Sequence, residues 1–109
     1  MAGQVVEIPD EISKTHPRCF ALKVNGPCME PDIPHGSIIV VDPNVQPVGD
    51  GNEPAVIEVD GTFYLCRPLT VSDQVVMLHD NPVHLNAMLP TDRVHVAGKV
   101  VWVNRVSEG

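Results

Sequence analysis

The residue best suited to covalent chemistry is Cys28, in the segment 26–31 that joins a predicted strand to a proline-rich loop. A thiol reacts as its thiolate, and a free cysteine has a pKa of about 8.5. Such a thiol needs a neighbouring base or cation before it can act as a nucleophile. Free cysteine is also among the most buried residue types, so this segment by itself indicates a small buried side chain at Cys28.

The cysteines do not form a pattern that indicates a disulfide or a zinc site. Cys19, Cys28 and Cys66 are odd in number, and no two of them are spaced as C-x-x-C. A disulfide framework and a structural zinc site both need paired cysteines at short, regular spacing. We therefore expect three reduced thiols.

The histidines and isolated carboxylates also lack a site pattern. His79 and His84 bracket a turn at residues 80–83, but no third metal ligand is evident and none of the five histidines has a ligand spacing. Asp32 and Asp42 are single carboxylates without an evident partner. We expect no metal ion and no cofactor.

Short apolar runs predict at least six strands, because their apolar residues alternate or are β-branched. The runs cover residues 19–25, 37–42, 55–59, 62–66, 74–78 and 94–106. Asp60-Gly61 joins the third run to the fourth and predicts a tight hairpin, since a type I′ turn needs positive φ at both central residues. Gly98 inside the last run indicates a bulge or bend.

The length and the turn signals predict one mostly β domain. No window of eleven or more residues shows the 3.6-residue period of a helix, and the 11 prolines are spread along the 109 residues. This pattern is typical of a barrel or a sandwich. Residues 1–17 are expected to be an N-terminal arm or linker remnant, and residues 18–109 the domain itself.

The charge balance bears on the kind of partner. Seven Lys and Arg residues against 14 Asp and Glu residues give a net charge of −7. DNA binding gains most of its affinity from cations that neutralise phosphates, so this domain is not expected to bind DNA by itself. No segment approaches the roughly 20 apolar residues of a membrane span, and the N-terminus has no signal sequence. We expect a soluble cytoplasmic protein without a membrane partner.

Five blocks of sequence, in order, carry a shared pattern. Residues 20–31 (FALKVNGPCMEP) resemble F-x-L-x-V-x-G-D-S-M-x-P, and residues 36–43 (GSIIVVDP) resemble G-D-x-x-x-V-D-P. Residues 60–67 (DGTFYLCR) are similar to D-G-x-F-x-V-K-R, residues 78–82 to an Asn-Pro turn, and residues 96–101 to V-x-G-x-V-V. Together the blocks run from about residue 20 to residue 105. The pattern resembles the C-terminal domain of LexA and of phage repressors.

The resemblance implies a mostly β fold, with twisted antiparallel sheets that form a partly open barrel or sandwich. In active members a lysine deprotonates a serine, which then attacks an Ala-Gly or Cys-Gly bond of the same chain. Here Cys28 stands at the serine position, and Cys66, or Arg67 in the alternative alignment, stands at the lysine position. A thiol is not a lysine-like base, and a guanidinium does not release its proton near neutral pH. We therefore predict that self-cleavage is lost and that the domain is not an enzyme.

The resemblance also implies a role in association. In phage lysogeny repressors this domain joins N-terminal helix-turn-helix domains into dimers and larger assemblies, so that paired operator half-sites are bound together. The expected partners are a second copy, operator DNA through an N-terminal domain outside this chain, and an antirepressor protein. The last strand is long and apolar and holds the single Trp. The predicted interface residues are Val96, Val100, Val101, Trp102 and Val103. Each of them could instead fill the core.

Two other functions stay open at this point. One is a self-cleaving peptidase that uses Cys28 as its nucleophile. The other is a regulatory subunit of a lesion-bypass polymerase, as in the mutagenesis branch of the same family.

Overall fold

A computed structural model describes residues 8–83 and 86–105. Its seven strands are β1 (Phe20–Lys23), β2 (Ile38–Asp42), β3 (Ala55–Val59), β4 (Thr62–Val71), β5 (Gln74–Leu78), β6 (Ala87–Pro90) and β7 (Val94–Asn104). They form one sheet in the order β1-β2-β7-β3-β4-β5-β6, and every neighbouring pair is antiparallel. The sheet does not close, because β1 and β6 lie at its two ends. The predicted mostly β class is confirmed.

The last strand lies in the middle of the sheet and bends twice. The strand β7 pairs with β2 on one side and with β3 on the other. Its register skips Val101 opposite β2 and Ala97 opposite β3, so each of these residues forms a bulge. The sequence indicated a bulge or bend at Gly98, and the bulge at Ala97 lies directly beside it. A Cβ at Gly98 would lie 2.5 Å from the carbonyl oxygen of Asp42. Only glycine allows this close approach of the two backbones.

The strand β4 is longer than predicted and joins two parts of the sheet. Its first half pairs with β3 and its second half with β5. We expected the strand to end at Cys66, because Arg67-Pro68 follows. Pro68 is accommodated beyond the end of β3, where it pairs with Met77 of β5. The hairpin prediction is confirmed, since Asp60 has a φ of 52° and Gly61 a φ of 83°.

Two elements were missed by the sequence patterns. A six-residue helix, α1 (Asp10–Thr15), lies in the expected arm, with Asp10 and Glu11 in its first turn and Lys14 in its last. These charges complement the helix dipole, but six residues are too few to show a 3.6-residue period. The other missed element is β6. A 3-10 helix, Thr91–Arg93, connects it to β7, whose predicted end at Val106 lies outside the described residues.

Two apolar clusters fill the core, and the first of them fixes the loop between β1 and β2. The first cluster contains Val24, Met29, Ile33, Ile39, Val41, Val56 and Val100. The second contains Ile57, Val59, Cys66 and Met77. Met29 and Ile33 belong to the loop and are fully buried. Each such side chain contributes about 1.5–3 kcal/mol when buried, so the segment around Cys28 is anchored to the core.

Candidate functional site

The loop that carries Cys28 is folded tightly on itself. The amide of Glu30 donates to the carbonyl of Pro27 at 3.0 Å, and the amide of Ile33 donates to the carbonyl of Met29 at 2.8 Å. These bonds form successive turns directly after Cys28. With Met29 and Ile33 in the core, the turns hold the Cys28 backbone in one place.

Contacts from outside the loop fix Cys28 on two further sides. The amide of Asn81 donates to the carbonyl of Cys28 at 3.1 Å, and its Nδ2 donates to the carbonyl of Pro27 at 2.9 Å. The Cys28 thiol itself donates to the carbonyl of Leu65, with 3.9 Å between Sγ and oxygen. Asn81 belongs to the Asn-Pro turn of the sequence pattern, yet sequence reasoning gave it no role. Only the fold shows that this turn lies against the Cys28 loop.

The fold brings together the two cysteines, Cys28 and Cys66, that the sequence resemblance aligned with a serine and a lysine. Cys66 follows Leu65 in β4, pairs with Ala55 of β3 and is fully buried. Burial raises the pKa of the Cys28 thiol above its ordinary value, and the amides of Cys28 and Met29 only partly offset this effect. Burial also raises the pKa of Cys66 to about 12, and the nearby Cys28 thiolate adds to that rise. Both side chains are therefore neutral thiols at pH 7.

Arg67, the alternative residue at the lysine position, belongs to an ion-pair network. Its Nε and Nη2 donate to the two carboxylate oxygens of Asp80 at 2.9 and 3.1 Å, and Nη2 also binds Asp32 at 2.5 Å. Arg105 binds the same Asp32 at 3.1 Å. The pairing with Asp80 raises the pKa of Arg67, so its guanidinium stays charged. The expectation that Asp32 has no partner was wrong, because both arginines are distant from it in sequence.

Asp42 also has a partner that the sequence did not indicate. Its Oδ2 lies 2.6 Å from Nδ1 of His16, and its Oδ1 accepts the amide of Asn44 at 2.8 Å. The Asn44 amide and then the His16 ring hold the pKa of this carboxyl below its ordinary value. His16 directly follows α1, so this contact joins the N-terminal segment to the end of β2.

Cys28 opens onto a groove of about 810 Å³. Its walls include Leu22 and Lys23 of β1, Phe63 and Tyr64 of β4, Leu89 of β6 and the side of His79. The groove is mostly apolar. His79 directly follows β5 and lines the same groove as Cys28.

The five predicted interface residues have different environments. Val100 is buried in the first core cluster, and Val103 packs against that cluster. Val96 packs against the second cluster. Val101 and Trp102 are half-buried. Within the described residues, neither belongs to either cluster. Because β7 pairs on both sides, only its faces could meet a partner, and the interface stays a prediction.

The grouping of possible metal ligands and the length of the helices bear on metal binding and on membrane crossing. Across residues 8–83 and 86–105, no three His, Cys, Asp or Glu side chains are grouped so as to hold a metal ion. In the same part of the chain, the helices lack the length and apolar character needed to cross a membrane. His84 lies outside the described residues.

The chain is similar to a known protein family over most of its length. The chain matches the family model described as Peptidase S24-like over residues 2–101. No curated protein sequence gives a significant match. Since the family model covers most of the 109 residues, the chain belongs to the Peptidase S24-like family, which includes the C-terminal domains of LexA and phage repressors.

Proposed function

We propose that this domain no longer cleaves itself and acts by association. In this proposal it joins the DNA-binding domains of a phage lysogeny repressor into dimers and larger assemblies in the cytoplasm of the bacterial host. The observation that supports the proposal is the neutral pair of thiols, half-buried Cys28 and fully buried Cys66, which the resemblance aligns with the nucleophile and, in one of two alignments, the base.

The chemistry of that pair opposes proton transfer. A serine–lysine dyad needs a neutral amine that can accept the proton of the hydroxyl. The Cys66 thiol, with a pKa raised to about 12, has no such acceptor, and the Arg67 guanidinium is held by carboxylates. The Cys28 thiol donates to the Leu65 carbonyl, and its raised pKa leaves little thiolate at neutral pH.

The association role draws on the charge and on the exposed part of β7. An acidic domain with a net charge of −7 is suited to holding DNA-binding domains together without competing for the phosphates. Val101 and Trp102 are apolar, half-buried and adjacent on the longest strand. A closed dimer would use this patch twice, and the second DNA contact would then become intramolecular.

Incubation of the purified chain at mildly alkaline pH tests the loss of cleavage. We expect one intact species by mass spectrometry after days, in the wild type and in Cys28→Ala alike. His79 is the imidazole that a cysteine peptidase could use, because it lines the same groove. A clipped product that is absent from both Cys28→Ala and His79→Gln would overturn the proposal and establish the peptidase.

Sedimentation equilibrium tests the association. We expect a mass at or above the dimer that depends on concentration, and a shift towards the monomer in Val101→Lys. The matched control is Val48→Lys, which adds the same charge at a 78% exposed valine outside the sheet strands. A monomer at all concentrations contradicts the proposal, as does equal dissociation of both variants. A monomer that binds a lesion-bypass polymerase would favour the polymerase-subunit role.

A further inference from the structure

The positive charge of this acidic chain is unevenly distributed. All seven Lys and Arg residues lie in the described part of the chain. Four of them form ion pairs with carboxylates: Arg67, Arg93, Lys99 and Arg105. Within residues 8–83 and 86–105 the other three, Lys14, Arg18 and Lys23, have no ion-pair partner and are exposed. The uncompensated positive charge is thus confined to α1, β1 and the residues between them.

The same segment contains a free sheet edge. Among residues 8–83 and 86–105, the strand β1 is at one end of the sheet and pairs with β2 alone. The Val24 amide donates to the Ser37 carbonyl at 2.8 Å, and the Gly36 amide donates to the Val24 carbonyl at 2.9 Å, so the Val24 backbone faces β2. Because antiparallel backbones alternate, the amides and carbonyls of Ala21 and Lys23 face outward. An unpaired edge of this kind is a template for another strand.

Apolar side chains flank that edge. Phe20 and Leu22 of β1 are each 38% exposed. Leu22 and Lys23 form a wall of the groove, together with Phe63, which is 60% exposed. An extended segment on the β1 edge would therefore gain backbone hydrogen bonds, apolar contacts and an acidic partner for Lys23.

We propose that the free edge of β1 is a docking site for an extended segment of another protein in which apolar and acidic residues alternate. The strand pairing supplies affinity, and Arg18 and Lys23, on either side of Phe20 and Leu22, select for acidic residues. This inference goes beyond the association role and does not depend on it.

Charge argues against a second copy as the occupant. In a two-fold antiparallel pairing of β1 with itself centred on Ala21, Lys23 would lie opposite Cys19 of the other copy, next to that copy's Arg18. Like charges in adjacent positions of paired strands are destabilising. Each copy also carries a net charge of −7. An acidic partner meets neither obstacle at this edge.

Fluorescence anisotropy with a labelled peptide of alternating valine and glutamate tests the site. We expect saturable binding that weakens as salt rises, and no binding of the matching valine–lysine peptide. Loss of one exposed ion pair predicts roughly fivefold weaker binding in Lys23→Gln. The matched control, Arg105→Gln, changes the net charge equally but lies outside β1, and we expect it to bind as the wild type does.

A second probe tests strand pairing without altering the protein. Methylation of alternate peptide nitrogens removes the donors that would pair with β1, and we expect it to abolish binding when it is placed in the correct register. No binding of the acidic peptide to the wild type overturns the proposal. Equal weakening in Lys23→Gln and Arg105→Gln also overturns it, because net charge alone would then explain the binding. A sedimentation result that shows only a monomer contradicts the association role but leaves these outcomes unchanged.

Discussion

At the residue scale, the protonation of two neighbouring thiols determines what chemistry the groove can support. Cys28 is half-buried beside the Leu65 carbonyl, and Cys66 is fully buried one residue further along β4. Burial disfavours the thiolate at both positions, so the environment that lowers the pKa of a catalytic lysine raises that of these cysteines. Burial therefore keeps both thiols protonated near neutral pH.

Alkylation rates provide a direct check on the two thiols. We expect Cys28 to react with iodoacetamide more slowly than a free cysteine at pH 7, with a rate that increases as the pH rises beyond the ordinary thiol pKa of about 8.5. Cys66, with its pKa raised to about 12, should stay unmodified in the native protein and react only after unfolding. Peptide mass spectrometry resolves the sites, and urea-unfolded protein is the control. Fast modification of Cys28 at pH 6 would contradict the assignment.

The lowered pKa of Asp42 should make the free energy of unfolding depend on pH. Its pKa is lowered in the folded state, so its contribution is complete above the unfolded value of about 3.9 and is lost as the pH falls through the folded value. We expect Asp42→Asn to be less stable than the wild type at pH 6, with the difference shrinking below about pH 4. Urea unfolding across this range measures it. A difference that does not change with pH would show that Asp42 acts only through its size and shape.

Arg67 acts at the element scale, because it connects β4 to the Cys28 loop and to the turn after β5. We expect Arg67→Lys to lower the free energy of unfolding by about 1–3 kcal/mol, since a lysine cannot reproduce the fork of bonds to Asp80 and Asp32. The control is Arg93→Lys, whose pair with Asp60 is exposed on both sides and should contribute less than about 1 kcal/mol. Equal effects in urea unfolding would contradict a structural role for the network.

Gly98 also acts at the element scale, because β7 and β2 approach each other closely there. A Cβ at this position would lie 2.5 Å from the Asp42 carbonyl oxygen and 2.7 Å from the Val41 side chain. We expect Gly98→Ala to destabilise the protein by about 1–3 kcal/mol or more, because backbone atoms cannot move aside cheaply. In Gly61→Ala the new Cβ meets open space, and the cost should be only about 1 kcal/mol for the positive φ. Thermal unfolding of both variants measures the difference. A lower melting temperature in Gly61→Ala than in Gly98→Ala would contradict this account.

The net charge dominates at the scale of the whole molecule. Two copies that each carry −7 repel one another, so screening should favour the dimer. We expect the association constant from sedimentation to increase between about 0.05 M and about 0.5 M salt. Binding of the acidic peptide to β1 should weaken over the same range. Salt should thus strengthen dimer association and weaken peptide binding. A change of both in the same direction would contradict the opposite charge effects expected for the two kinds of binding.

Local structure and family membership could both be predicted from the sequence. The strands β3 and β5 have the predicted bounds, because alternating apolar residues and turn residues act within a few positions of one another. The Asp60-Gly61 hairpin follows from the positive φ that both residues adopt, and Gly98 leaves room for the close approach of the Asp42 backbone. The family could be predicted because its blocks of pattern are contiguous in sequence.

Contacts between residues that are distant in sequence became visible in the tertiary structure. The partners of Asp32 and Asp42 lie on other elements, so no periodicity could indicate them. The same is true of Asn81 against the Cys28 loop and of His79 in the groove. The structure also showed that β7 is central and β1 is an edge, which determines where a partner strand could pair. Strand order depends on packing across the whole sheet, whereas sequence patterns report only which residues are apolar and which form turns.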